Sequence, residues 1–289
     1  MKIALIGDIH GRVFQTLATV CEWQRQHGER LDFLLQVGDL GAYPNPNDEL
    51  KNNRFILQDS TQLDFSRMLN AQDDLVADLR ALRAQLASPI HFIRGNHEDF
   101  AWLKQVEMER QTTVTPVDPF DLFAYVSDGA VMEVGGWRVA VLGGIETGEI
   151  DERSIDEAMY RKLYAYRPGE IDLLVTHDAP YGISTNYHGE TQGSAKISAL
   201  IEQIQPRYLI AGHYHHLNGP RDYGRTTYLG LAVLVDLRRD GERRSVQAGS
   251  IAVIDTVTGE LAIVTEDWLK SLDCNFDFHG YVAQLKQAT

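Results

Sequence analysis

Short apolar runs that stop abruptly at turn residues punctuate the chain. Lys2 to Ile6 runs into Gly7-Asp8-Ile9-His10-Gly11, Leu31 to Val37 into Gly38-Asp39, and Ile90 to Ile93 into Arg94-Gly95-Asn96-His97-Glu98. Ile171 to Val175 leads to Thr176-His177-Asp178, and Tyr208 to Ile210 to Ala211-Gly212-His213-Tyr214-His215. Apolar runs of this length, closed by turn signals, predict buried strands. Between them the period changes. Val13, Leu17, Val20 and Cys21 recur at helical spacing in a segment that ends near Gly28, and Leu75, Leu79, Leu82 and Leu86 repeat the pattern. Ser194 is placed to cap a third helix, with Ile197, Leu200, Ile201 and Ile204 on one face and Pro206 past its end. Strand, helix, strand in this order predicts an α/β layered fold.

The later part reads as more antiparallel. Gly135-Gly136 separates Ala130 to Val134 from Trp137 to Leu142, a two-residue hairpin signal, and a turn around Thr258-Gly259 separates Ile251 to Asp255 from Leu261 to Thr265. The expected architecture is an α/β/β/α sandwich of two mixed sheets packed face to face with helices outside. One domain is expected over residues 1–266, with a cap-like insertion around 43–88 that opens on the polar run Tyr43-Pro44-Asn45-Pro46-Asn47. Residues 267–289 are expected as a peripheral helix or tail. No internal repeat is present.

Composition narrows the class. Of the 289 residues, 44% are apolar, which excludes disordered and collagen-like chains. No apolar stretch approaches the ~20 residues of a membrane helix, so no membrane partner is expected. The N-terminal run lacks the features of a signal peptide. Cys21 and Cys274 do not make a disulfide framework, which points to a reducing cytoplasm. Lys and Arg number 27 against 41 Asp and Glu, a net charge of −14, which disfavours extended nucleic-acid binding. The basic cluster Arg238, Arg239, Arg243 and Arg244 reads as a solvated turn.

Five strand ends supply Asp8, His10, Asp39, Asn96, His97, His177, His213 and His215. Ligands of open α/β sheets gather outside the carboxyl ends of the strands, so these side chains are expected to meet at one edge. Imidazoles, carboxylates and an amide oxygen suit Mn, Fe, Zn or Co. Seven such donors exceed one tetrahedral zinc and suit two ions that share a carboxylate. Taken singly, Asp8 or Asp39 would cap a turn and Asn96 would be a left-handed turn residue; it is their recurrence at successive strand ends that points to metal.

The blocks Gly7-Asp8-Ile9-His10-Gly11, Gly38-Asp39, Gly95-Asn96-His97-Glu98, Thr176-His177 and Gly212-His213-Tyr214-His215 resemble the calcineurin-like metallophosphoesterase superfamily. The resemblance implies a four-layer sandwich and two divalent ions, manganese favoured, with iron, zinc and nickel also suited. It implies Asp8, His10 and His215 on one ion, Asn96, His177 and His213 on the other, and Asp39 bridging both. His97 would contact the phosphate and assist the leaving group, imidazole being the side chain that exchanges protons near neutral pH. The implied reaction is attack of a metal-bridging hydroxide on a phosphate ester, a phosphodiester by preference. A phosphomonoesterase, a debranching-type nuclease and a non-catalytic scaffold are the alternatives. Leu40-Gly41-Ala42 after Asp39 departs from the Asp-Arg-Gly pattern of protein serine/threonine phosphatases. Gly95-Asn96-His97-Glu98, Gly136-Trp137-Arg138, His177-Asp178-Ala179-Pro180 and Gly193-Ser194-Ala195 also resemble the catalytic domain of RNA lariat-debranching enzymes, which carry Cys where this chain has Asp8. Expected partners are therefore a phosphate ester, including a nucleotide or a short single-stranded nucleic acid. Glu98 and Asp178 are candidates to orient the neighbouring histidines or to cap loops. Arg12 and Arg94 could reach phosphate or pair with acidic neighbours, and His188 belongs to a rim loop. His216 is a bystander, and His27, His91 and His279 receive no role.

Overall fold

Strand β1 (Lys2–Ile6) is buried on both faces: Ile3 and Leu5 join one apolar cluster, Ala4 and Ile6 another, and none of the four is exposed. A strand buried on both sides reads as an unbroken apolar run, as this one does. The computed structural model of the chain describes residues 1–185, 188–236 and 244–288. In it β1 lies in the interior of the first of two large sheets. Its neighbours are β2 (Phe33–Gln36), β3 (Ile90–Phe92), β5 (Phe123–Val126) and the edge strand β4 (Val114–Pro116) on one side. On the other lie β14 (Ile251–Asp255) and β15 (Leu261–Ile263). β1, β2, β3 and β5 run parallel, and the outer pairings β1–β14, β14–β15 and β4–β5 are antiparallel.

The second sheet has the order β12 (Asn218–Tyr223), β13 (Thr226–Gly230), β11 (Tyr208–Ala211), β8 (Leu173–Thr176), β7 (Trp137–Leu142), β6 (Val131–Val134). The hairpin across Gly135-Gly136 is antiparallel, as the pattern predicts. The centre of this sheet is not: β7, β8, β11 and β13 are all parallel. Helices α7 (Glu157–Tyr164) and α8 (Ala195–Ile204) supply two of the crossovers that such pairing needs. Between the sheets Ile3, Leu5, Leu35 and Val37 meet Val139, Val141, Val175 and Ile210. Outside the second sheet Leu142, Leu174 and Leu209 pack on Ile197, Leu200, Ile201 and Ile204 of α8. The Ser194 hydroxyl caps that helix by accepting the Ile197 N–H. The molecule is thus a mixed α/β fold with two large sheets flanked by helices.

Outside the first sheet lies α1 (Val13–His27), closed by Gly28 in the left-handed conformation at φ 62°. The stretch 43–88 folds into α2 (Asp48–Lys51), α3 (Arg54–Gln58), a 3₁₀ turn at Ser60–Leu63, α4 (Asp64–Leu69) and α5 (Asp73–Gln85). Its second half belongs to the core, where Phe65, Met68, Leu79 and Leu82 are fully buried with α1. α6 (Phe100–Arg110) follows β3, and a small ribbon pairs β9 (Ser184–Thr185) with β10 (Thr191–Gln192). Beyond Asp267 the chain ends in α9 (Phe278–Ala288), whose Phe278 ring stacks on Phe14 at 4.6 Å and whose Val282 is fully buried. Among the described residues no helix is long and apolar enough to cross a membrane. Arg238, Arg239 and Arg243 of the basic cluster lie outside the described residues.

Candidate metal centre

Parallel strands present their carboxyl ends at one edge, and the loops that leave β1, β2, β3, β8 and β11 carry every predicted site residue. Four of those residues sit in left-handed backbone: His10 at φ 45°, Asp39 at 56°, His213 at 70° and His215 at 61°. For residues with a Cβ this conformation costs on the order of 1–3 kcal/mol each and persists only where the surroundings enforce it. Packing is as tight. A Cβ on Gly95 would lie 2.0 Å from Asp39 Oδ1, and one on Gly212 would lie 2.1 Å from Asp8 Oδ1. Both glycines let a loop close directly on a carboxylate, a demand that sequence reasoning registered only as a turn signal.

The structure brings the seven predicted ligands together. Ligand atoms of Asp8, His10, Asp39 and His215 all lie within 4.8 Å of one another. His215 Nε2 is 3.3 Å from Asp8 Oδ2 and 3.0 Å from His10 Nε2. On the other side of Asp39, His177 Nε2 is 3.3 Å from Asp39 Oδ1 and 3.0 Å from Asn96 Oδ1. The His213 ring lies 5.2 Å from that of His177, and its backbone N–H donates to Asp8 Oδ2 at 2.9 Å.

The chemistry of this donor set fits cations. His177 Nδ1–H donates to the Val37 carbonyl at 3.0 Å, which leaves Nε2 facing two oxygens. Three acceptors facing one another at such distances are balanced only by a proton or a metal ion. Asp39 Oδ1 accepts the N–H groups of Asn96 (2.7 Å) and His97 (2.8 Å), whereas Asp39 Oδ2, fully buried, meets no hydrogen-bond donor. Burial opposes ionisation of both aspartates, but His215 and His177 beside Asp8, and His177 and His10 beside Asp39, hold each carboxyl below the usual range. Burial also lowers His10 to about 3 and, with His177 adding, His213 to about 4. At neutral pH the pocket therefore offers two buried carboxylates together with His10 and His213 as neutral imidazoles. That arrangement repels anions and attracts divalent metal.

The profile of the calcineurin-like phosphoesterases matches residues 1–217. The chain belongs to the calcineurin-like phosphoesterase family. It is 22% identical over 249 residues to a lariat debranching enzyme of Arabidopsis thaliana, covering 74% of this chain and 54% of that one. A lariat debranching enzyme of Drosophila melanogaster is 25% identical over 250 residues, covering 74% and 43%. The chain thus spans about half the length of these curated relatives. A solved crystal structure superposes with a TM-score of 0.54 at 14% identity over 91% of this chain and 98% of that one, which supports the fold.

Around the candidate metal centre of this family member, the charged neighbours are occupied with structure. Glu98 is buried and clamps the loop after Asp39, accepting Leu40 N–H at 2.8 Å and Ala42 N–H at 2.7 Å. Burial and the nearby Asp39 push its carboxyl up to about 8. Asp178 accepts Glu146 N–H and Ala179 N–H, both at 2.8 Å. Both acids therefore hold loops, and a backbone carbonyl orients His177 instead. Arg12, 1% exposed, donates to Asp59 Oδ2 at 2.9 and 3.0 Å; Arg94 pairs with Asp128 at 2.7 Å and bonds the Glu152 and Ser154 carbonyls. His97 is exposed, with its ring 5.5 Å from that of His10. His216 bonds the Tyr214 carbonyl, and His188 is exposed in the loop between β9 and β10. His27, His91 and His279 bond Trp23, Leu34 and Asp78, away from the site.

Proposed function

We propose that the protein hydrolyses phosphodiesters at two divalent metal ions. Asp8, His10 and His215 would hold one ion and Asn96, His177 and His213 the other. Asp39 would touch both. The observation that supports this most is the fully buried Asp39 carboxylate, whose Oδ1 faces His177 while its Oδ2, on the His10 side, has no hydrogen-bond partner. A pair of divalent ions in such a site supplies phosphoryl polarisation and a lowered water pKa.

The side chains account for the rest of the reaction. Water adds to phosphorus, the P–O bond to the leaving group breaks, and one proton passes to the departing oxygen. His97, exposed beside His10, donates that proton, a contribution worth ~10²–10⁴-fold. The backbone N–H groups of Asn96 and His97 hold Asp39 in place while this happens. Arg12 and Arg94, the guanidinium groups nearest the motifs in sequence, are bound to Asp59 and Asp128. A phosphomonoester dianion calls for more unpaired positive charge than a diester monoanion, and these pairings favour the diester. The lariat debranching relatives make a branched RNA diester one member of the test set. Manganese is the proposed ion, and the reducing cytoplasm the proposed compartment.

The deciding experiment is a panel of bis- and mono-aryl phosphates, cyclic nucleotides, dinucleoside polyphosphates and branched RNA, assayed with Mn, Ni, Zn, Fe and Mg. Metal-dependent turnover with diesters ahead of monoesters is the expected result. Faster turnover of monoesters would reverse the assignment.

A further inference from the structure

A cavity of about 340 Å³ opens beside the metal centre, bordered by His10, His97 and His215. Leu50, Phe55 and Ile56 of the insertion and Val233 and Val235 of the segment after β13 make much of its wall apolar. Both walls are tied to the loops of the metal centre. Leu234 N–H donates to the Asp8 carbonyl at 2.7 Å and Val233 N–H to that of His215 at 3.2 Å. On the insertion side Arg12 grips Asp59, and a Cβ on Gly11 would lie 1.9 Å from the Gln62 carbonyl oxygen, so the two backbones are in direct contact. A cavity held this way is formed before any ligand arrives, which reduces the ordering cost of binding.

Phe55 is the anomaly in this wall. It remains 44% exposed in the folded chain, with the Arg54 guanidinium 4.6 Å from its ring centroid. An aromatic ring left half in water at the mouth of a reaction site gains burial only when a ligand covers it. The volume lies at the small end of ligand sites and suits one ring-bearing group. Arg12, which also lines the cavity, is paired with Asp59, and the chain carries a net charge of −14, which disfavours extended contact with a polyanion.

We propose that this cavity receives the organic group that stays on phosphorus, and that Phe55 selects a single aromatic or nucleoside-sized group there, making small aryl or nucleoside diesters the substrate class. The proposal rests on the phosphodiesterase reading. Phenyl 4-nitrophenyl phosphate and methyl 4-nitrophenyl phosphate release the same nitrophenolate and differ only in the retained group. With the Mn²⁺-loaded full chain, the ratio of kcat/KM for phenyl over methyl should favour phenyl. Phe55→Ala should cut that ratio roughly 3–10-fold, mainly through KM, in line with the worth of an aromatic contact. Phe55→Tyr should restore it. Calorimetry with diphenyl phosphate, which lacks an activated leaving group, should show a weakening of the same size in Phe55→Ala. An unchanged ratio would overturn the role of Phe55 and leave the phosphodiesterase intact. A single-stranded oligonucleotide cleaved with higher kcat/KM than the phenyl diester would overturn the substrate class. No Mn²⁺-dependent turnover of either diester would remove both readings.

Discussion

Asp39→Asn separates the cost of building the metal centre from its use. In the wild type the carboxylate is fully buried, Oδ1 holds two backbone N–H groups, and Oδ2 holds none. An amide keeps Oδ1 as acceptor, so both backbone bonds survive, and its N–H₂ replaces the orphaned oxygen 3.8 Å from His10 Nε2. A buried polar atom without a partner costs about 1–3 kcal/mol, more if charged. His177 and His10, which hold this carboxyl below its usual range, favour the ionised form and oppose any gain from the amide, so metal-free Asp39→Asn is expected to lie within about that amount of the wild type. Metal separates the two. A ligand at a hundred times its Kd stabilises the folded state by about 2.7 kcal/mol. For a chain of 289 residues that is roughly 4–5 °C in Tm. Wild type should show such a rise on titration with Mn²⁺, and the variant should show little of it, because an N–H₂ faces the ion. Thermal unfolding with and without Mn²⁺, paired with metal content after desalting, measures both halves. A variant that keeps the full Mn²⁺-induced rise, or that differs from wild type without metal by clearly more than about 3 kcal/mol, would refute the reasoning.

Two further outcomes are expected. His97→Ala should lower kcat by ~10²–10⁴-fold with both metals retained, since the residue is placed to move a proton and not to hold an ion; metal analysis showing a lost ion would assign it to the ligand set. Asp64, 2% exposed beside Arg67 at 2.5 Å, has its carboxyl raised by burial to about 7 against the pull of the arginine. A folded-state pKa above the unfolded one means that the native chain binds this proton more tightly. Stability is then fully present below the unfolded value near 4 and declines as pH rises to about 7. Asp64→Asn should flatten that decline in urea unfolding, and parallel pH profiles for the two proteins would show that Asp64 titrates normally.

The family blocks were legible because each is local: an apolar run, a turn, and a donor side chain within a few residues. The helix from Val13, the cap at Ser194 and the hairpin at Gly135-Gly136 were legible for the same reason, and their observed bounds differ from the pattern by a residue or two. The sense of the second sheet was not. Apolar runs report burial, not direction, and the parallel order of β7, β8, β11 and β13 depends on crossovers that pack only once the sheet exists. β14 illustrates this further, leaving the second half of the chain to pair with β1.

The sequence by itself determined which side chains could bind metal and at which strand ends they stand, since alternation and turn chemistry are read from neighbours along the chain. The tertiary structure alone decided which charges remain available. Arg12 is consumed by Asp59, 47 residues away, and Arg94 by Asp128, 34 residues away, while Glu98 closes the loop after Asp39 from 58 residues away. Residue spacing carries no record of such partners, because they are chosen by the packing of two sheets against each other, and that packing also leaves Asp39 Oδ2 buried with no donor of its own.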